Sequence, residues 1–447
     1  MGSSNSAALS EAIQSAAWQL TGTNKDYDPL LELIGNARFV LLGEATHGTH
    51  EFYQARAEIT RRLIEEKDFN AVAVEADWPD AYRINRFVRG WGRDKHPGDA
   101  LGSFKRFPLW MWRNTDVVTF IEWLRRHNQA LPETARVGFY GLDLYSLYTS
   151  IEAVIAYLER VDPEAAEQAR QRYACLDHLE REPQHYGHGV SRGLRPSCED
   201  EVVEQLLALR ERAAHYLERD GLVAEDEQFH AQQNARLVRN AEAYYRGMFS
   251  GRVNTWNLRD RHMSETLTAL AEHLSSRQGR PARIVVWEHN SHIGDARATE
   301  MGERGELNVG QLVRQQYGNQ AVLVGFTTYS GTVSAASRWD APVERKRVRP
   351  ALSGSYEAVF HDTGLKRFLL SLQSGDAVSA LRSPRLERAI GVIYLPASER
   401  LSHYFHCRLS AQFDAVLHFD ETQALEPLDR TARWEEGEVA ETYPFGL

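Results

Sequence analysis

The stretch Arg38-Phe39-Val40-Leu41-Leu42-Gly43-Glu44-Ala45-Thr46-His47-Gly48-Thr49-His50-Glu51 decides how the chain is read. Phe39 to Leu42 is an unbroken apolar run, not an alternating one. A strand of that kind is buried on both faces, as in a parallel sheet covered by helices. The run breaks at Gly43 into polar residues, and Gly43 and Gly48 permit a sharp turn with close backbone approach. A helix follows at once. Phe52, Ala55, Ile59 and Leu63 recur at three and four residues, which predicts an apolar stripe on a helix over residues 51–66. Strand, polar turn and helix form the opening unit of an α/β layer fold.

The same pattern repeats outward. Further strands are predicted at Ala71–Glu75, Arg136–Leu142, Arg283–Trp287, Ala321–Phe326, Ala389–Tyr394 and Ala415–Phe419. Val117, Ile121 and Leu124 mark a helix before the third strand. Between Ser146 and Arg280 the pattern is helical, over residues 150–161, 199–217 and 225–248 and again after Asn257. Pro163 and the Gly/His/Pro-rich segment Pro183–Pro196 punctuate it. The reading is an α/β fold: a mostly parallel central sheet flanked by helices, with a large helical-hairpin insertion. The chain divides accordingly into 8–145 and 281–447, two parts of one α/β core, with 146–280 as the insertion.

Composition narrows the function classes. The 447 residues carry 52 Lys plus Arg against 62 Asp plus Glu, a net charge of −10, with 43% hydrophobic residues. These values exclude a disordered or fibrous chain. The acidic balance, with Arg scattered among Asp and Glu, argues against nucleic acid as a partner. No apolar run reaches the roughly 18 residues of a membrane span, so no membrane partner is expected. Residues Met1–Ala7 lack the basic start and apolar core of a signal peptide. Cys175, Cys198 and Cys407, odd in number and widely spaced, suggest unpaired thiols in a reducing cytoplasm and no Cys-based zinc site. The expectation is a cytoplasmic monomer or weak homo-oligomer acting on a small molecule.

Four predicted strands end in polar residues: Glu44 to Glu51, Glu75-Ala76-Asp77-Trp78, Gly141-Leu142-Asp143, and Trp287-Glu288-His289-Asn290-Ser291-His292. Ligands bind beyond the carboxyl ends of parallel strands, so these tails converge on one crevice. A His with a carboxylate partner, as in Glu44-x-x-His47, is equipped to take a proton from water. The N-terminus of the helix that follows favours a developing anion. Arg56, on that helix, holds a substrate oxygen or a carboxylate, or is a surface residue. Arg259, within Asn257-Leu258-Arg259-Asp260-Arg261, hydrogen-bonds across the cleft or serves in capping and surface pairing. The glycine-rich segment Gly302–Gly310 is a mobile cover or an inert loop.

Sequence motifs bear on three other chemistries. The pairs His47-x-x-His50 and His289-x-x-His292 offer imidazoles to a metal, but H-E-x-x-H and H-x-x-E-H are absent. Gly189-Val190-Ser191-Arg192-Gly193 matches the serine elbow literally, yet it lacks the preceding strand that an elbow needs. No phosphate-cradling glycine loop occurs.

The combination of Gly43-Glu44-Ala45-Thr46-His47-Gly48, Glu51-Phe52, Glu75-Ala76-Asp77-Trp78 and Trp287-x-His289-Asn290-x-His292 resembles the erythromycin esterase family. Asn257 to Met263, Phe413-Asp414-Ala415 and Asp420-Glu421-Thr422 resemble it too, so the likeness runs over nearly the whole chain. It implies an α/β core with a helical insertion forming one wall of a deep cleft. It also implies cofactor-free, metal-independent hydrolysis of the ester in a macrolide lactone, an antibiotic-resistance activity of the carboxylic ester hydrolase class. Carried to these positions, His47 is the general base that activates water, Glu44 and Glu75 orient and polarise it, and Arg56, His289 and His292 line the site and stabilise charge. Asp77, Trp78 and Arg259 are expected at the substrate. Glu288 departs from the pattern, since the antibiotic-inactivating members carry a small residue there. Two alternatives remain open: a zinc hydrolase using His47, His50, His289 and carboxylates, and a non-catalytic ligand- or haem-binding module with His185–His188 as ligands.

Overall fold

The computed structural model describes residues 2–23, 25–177, 183–212, 221–249 and 252–437. Eleven strands occur among them: β1 (Trp18–Gln19), β2 (Phe39–Leu42), β3 (Ala71–Asp77), β4 (Gly138–Asp143), β5 (Ile284–Trp287), β6 (Ala321–Ala335), β7 (Glu344–Val348), β8 (Arg367–Ser371), β9 (Arg385–Arg388), β10 (Tyr404–Cys407) and β11 (Ala415–Thr422). Nine of them form one sheet in the order β1-β8-β11-β6-β2-β5-β3-β4, with β7 paired to β6. The pairs from β11 through β6, β2, β5 and β3 to β4 are parallel. β1, β7 and β8 attach antiparallel, and β9 and β10 form a separate ribbon.

The continuous apolar runs have a simple cause. Phe39 and Leu41 join Ala71, Ala73, Ile284 and Val286 in the core on one face, beneath the helices between β4 and β5. Val40 and Leu42 join Val72, Val74 and Val285 in the core on the other face. There they meet helices His50–Lys67, Trp78–Val88 and Thr115–Gln129. Every residue of β2 is therefore buried, whichever way it points. Truncating such a Leu to Ala costs about 2–5 kcal/mol. Helix Thr115–Gln129 starts where Asn114 Oδ1 accepts from Val117 N–H at 2.8 Å. Helix His50–Lys67 stops at Asp68, which takes a left-handed φ of 57°.

From the end of β4 to the start of β5 the described residues contain helices and no strand. They include Leu147–Val161, Pro163–Asp177, Pro183–Ser191, Glu199–Glu211, Gly221–Gly247 and Arg252–Gln278. The expected end of the second of the predicted helices, at residue 217, lies outside the described residues. No helix among the described residues is long and apolar enough to cross a membrane.

The structure corrects several expectations. Pro183–Ser191 is a helix, not a punctuating loop, since proline is tolerated in a first turn. The Gly-x-Ser-x-Gly match runs off its end, and Ser191 Oγ donates to His188 O at 3.0 Å. No strand-turn-helix elbow exists there. Ala389–Tyr394 is not a strand: single bridges join Ile390 to Thr46 and Ile393 to Ala336, and the run is apolar because Ile390 and Tyr394 fill a small core of their own. Strands β7 and β9, Glu-Arg-Lys-Arg-Val and Arg-Leu-Glu-Arg, are mostly charged, and β8 and β10 hold apolar runs of only two or three residues, so a search for longer apolar runs does not detect any of the four. Cys175 and Cys198 form a disulfide, which leaves Cys407 as the free, buried thiol. That removes the argument for a reducing compartment that rested on three unpaired cysteines.

Candidate active site

Residues 43–48 turn sharply after β2 because two glycines let them. A Cβ on Gly43 would collide with Asn290 Oδ1, and one on Gly48 with the carbonyl oxygen of Ser334. Asn290 fixes the neighbouring loops against this turn. Its N–H donates to Glu44 O at 2.9 Å, and its Nδ2 donates to Phe326 O at 2.8 Å. The turn sets His47 Nδ1 2.8 Å from Glu44 Oε1. Arg56 Nη2 lies 2.8 Å from the other oxygen, Glu44 Oε2. Arg56 is fully buried between the rings of Tyr53 and Trp287, at 4.3 and 5.2 Å. It therefore sits behind Glu44, and it does not line the cleft. With Nδ1 facing Glu44, the ring nitrogen that His47 turns towards the cleft is Nε2, 4.0 Å from Glu75 Oε1.

Glu75 comes from β3 and is held from two sides. Arg259 Nη2 donates to its Oε1 at 2.8 Å, and His289 N–H donates to its Oε2 at 2.9 Å. Burial opposes its ionisation, but His292, His47 and Arg259 together hold its carboxyl well below the usual carboxylate range. Arg259 also donates to both oxygens of Asp143, at 2.9 and 2.6 Å, and lies 3.0 Å from His292 Nε2. One guanidinium from helix Arg252–Gln278 thus ties together the ends of β3, β4 and β5.

The two histidines after β5 differ in environment. His289 Nδ1 accepts from Ser291 N–H at 3.2 Å and lies 2.9 Å from Ser291 Oγ. This pattern places the ring proton on Nε2, which has the backbone of Ala45 nearby and makes no well-formed hydrogen bond. Burial and the nearby His47 push its pKa down to about 3, so the ring is neutral. The His47 and His289 centroids are 4.8 Å apart. His292 Nδ1 is 2.9 Å from Asp260 Oδ1, and its ring stacks on Trp256 at 4.6 Å. Burial disfavours its charged form, while Asp260 and Glu75 outweigh this and raise its pKa.

These groups face a cleft of about 1170 Å³, lined at its polar end by His47, Glu75, Asp143, Arg259, His289 and His292. That is ample for a large ligand. Asp77 also lines it and accepts from Ser146 N–H at 3.1 Å. Burial, then the Asp143 charge, push its carboxyl up to about 6. Trp78 is elsewhere. Its indole is buried in the helical core, stacked on Tyr140 and donating to His230 Nδ1 at 2.8 Å, because the first residue of the Trp78–Val88 helix turns inward. Glu288 is fully buried behind the cleft with no hydrogen bond to either carboxyl oxygen. Burial, then Glu75 and Asp260, push its pKa well above the ordinary value.

His50 is bound to Asp116 at 2.8 Å and does not line the cleft, so it does not join His47 and His289. Among the described residues no group of three or more His, Cys, Asp or Glu is arranged to hold a metal. The segment after Met301 is tied down: Trp256 Nε1 donates to Leu307 O at 2.8 Å and Val309 N–H donates to Asp260 Oδ1 at 3.1 Å. Sequence reasoning passed over Asp260, Trp256 and Tyr145, a cleft residue whose ring lies 5.0 Å from the Arg259 guanidinium. Asp260 stands beside Arg259 in the Asn257–Arg261 segment, and that adjacency is the one signal that would have found it.

The family model described as erythromycin esterase matches residues 64–422, most of the chain; Glu44 and His47 precede the matched span. An Escherichia coli protein described as erythromycin esterase type II is 24% identical over 356 residues, 76% of this chain and 82% of that protein. The putative hydrolase YbfO of Bacillus subtilis is 23% identical over 360 residues, 75% of this chain and 74% of its own. Among solved structures, a Bacillus cereus protein superposes with a TM-score of 0.77 at 19% identity, over 95% of this chain and 99% of that one. An erythromycin esterase mutant in an open conformation superposes with a TM-score of 0.66 at 16% identity, over 90% and 95%. At these identities the solved structures bear on the fold alone, a mixed α/β architecture with a central, mostly parallel sheet. The match along most of its length makes the chain a member of the erythromycin esterase family.

Proposed function

We propose that the chain is a carboxylic ester hydrolase in which His47 activates water, with a macrolactone among its substrates and no metal in the reaction. Family membership supports a hydrolase of this type. The observation that carries the finer reading is the chain Arg56–Glu44–His47. It fixes the imidazole with its basic nitrogen towards the cleft, beside a carboxylate held ionised.

The 4.0 Å between His47 Nε2 and Glu75 Oε1 is too long for a hydrogen bond and suits one bridging water. His47 takes a proton from that water as its oxygen attacks the ester carbonyl. Glu44, anchored by Arg56, stabilises the imidazolium that forms. The carbonyl oxygen, as it gains charge, accepts from the neutral His289 Nε2–H, with Arg259 close by. His47 then returns the proton to the leaving alkoxide, giving acid and alcohol. General-base help is worth about 10²–10⁴-fold. His47→Ala is expected to cut turnover of an aryl ester by at least about 10²-fold with an unchanged circular-dichroism spectrum. A folded His47→Ala protein as fast as the wild type contradicts the assignment.

A further inference from the structure

Beyond the histidines the same cleft continues to a mouth whose aromatic side chains take no part in the hydrolytic steps. Phe107 and Trp339 pack ring to ring there, with centroids 4.9 Å apart and planes inclined by 59°. Trp339 sits in the turn between β6 and β7, where Ala341 N–H donates to Arg338 O at 3.2 Å. Ser337 anchors that turn to β7: its Oγ donates to Glu344 Oε1 at 2.7 Å and accepts from Lys346 Nζ at 2.6 Å.

The turn is also joined to the catalytic end. Ala336 N–H donates to Val392 O at 2.9 Å and Tyr394 N–H donates to Ala336 O at 3.0 Å. Two residues earlier, Ile390 N–H donates to Ala45 O at 2.8 Å, and His47 N–H donates to Ile390 O at 3.3 Å. One short segment, 390–394, therefore joins the His47 turn to the base of the turn that carries Trp339. Despite these anchors Trp339 is 55% exposed, and Leu401, which lines the same cleft, is 89% exposed. Other exposed large apolar side chains, such as Trp18 and Leu194, lie outside this cleft. Apolar side chains gathered on a cleft wall, rather than scattered singly, mark a ligand surface.

We propose that Phe107 and Trp339 form a specificity subsite that takes an apolar chain or ring of the substrate away from the scissile bond. The inference rests on reading the cleft as a hydrolase site. Contact there adds binding energy remote from the reacting atoms and selects among esters by their apolar flank.

The test uses the full chain as wild type, Trp339→Ala and Trp339→Phe, with para-nitrophenyl decanoate and para-nitrophenyl acetate. The decanoate-to-acetate ratio of kcat/KM is expected to fall about tenfold in Trp339→Ala, the loss for some 50 Å² of apolar surface left in water. Trp339→Phe restores most of it. An unchanged ratio overturns the subsite. A wild type that hydrolyses neither ester defeats the hydrolase reading instead, and calorimetric titration with octyl glucoside, which has no ester, then decides the subsite. Binding about tenfold weaker in Trp339→Ala supports it. Equal affinity, or no binding by the wild type, overturns it.

Discussion

Glu288 is the sharpest point at which geometry and thermodynamics meet. It is fully buried, neither oxygen has a hydrogen-bond partner, and the Glu75 carboxylate beside it is held ionised. Burial, then Glu75 and Asp260, raise its pKa well above the ordinary value. In the unfolded chain the same carboxyl loses its proton near pH ~4.3. Above that pH the native state therefore binds one more proton than the unfolded state. Stability falls as pH rises, by about 1.4 kcal/mol for each pH unit until the native carboxyl itself ionises. Glu288→Gln keeps the shape and removes the titration. Urea denaturation of both proteins, followed by tryptophan fluorescence at pH 5 and 6, isolates the effect. The stability of Glu288→Gln minus that of the wild type should grow by about 1.4 kcal/mol over that step. Parallel pH dependences would refute the buried, protonated Glu288, and with it the electrostatic description of this end of the cleft.

Other perturbations have equally definite outcomes. Glu44→Gln leaves the buried Arg56 guanidinium without its counter-charge and should cost about 3–5 kcal/mol in thermal or urea unfolding, besides slowing turnover. His289→Ala removes the Nε2–H and should lower kcat about 10²–10³-fold on an ester that the wild type hydrolyses. Cys175→Ser opens the 23-residue loop closed by the disulfide and should lower unfolding stability by about 3 kcal/mol, with no change in the ester preference read at the cleft.

The parallel core was legible because β2, β3, β5 and β11 are buried on both faces, which writes itself as unbroken apolar runs. The edge strand β7, reading Glu-Arg-Lys-Arg-Val, carries no such mark, because all but one of its side chains are charged. Ala389–Tyr394 misled for the opposite reason: it is buried and apolar without belonging to a ladder. At the site, strand-end polarity pointed to Glu44, His47, Glu75, Asp77, His289 and His292. The structure brings all but Glu44 onto the cleft wall, with Glu44 just behind His47. Trp78 followed Glu75 and Asp77 in the motif but leaves the cleft, since the strand ends and a helix begins at that residue. For Arg259 the sequence left cross-cleft hydrogen bonding and surface pairing both open, because the choice depends on three strand ends meeting one helix that is distant in sequence from two of them.

The central claim is that this cleft adds water to an ester through His47. Its most direct test is to incubate the wild type and His47→Ala, each confirmed as folded, with a panel of macrolides and simple aryl esters. Mass spectrometry then reads the products. The account predicts that the wild type adds the mass of one water to a macrolide, or splits an aryl ester into acid and alcohol, and that His47→Ala leaves the same compounds intact. A wild type that leaves the whole panel unchanged, or a His47→Ala protein that matches its products and rate, contradicts it.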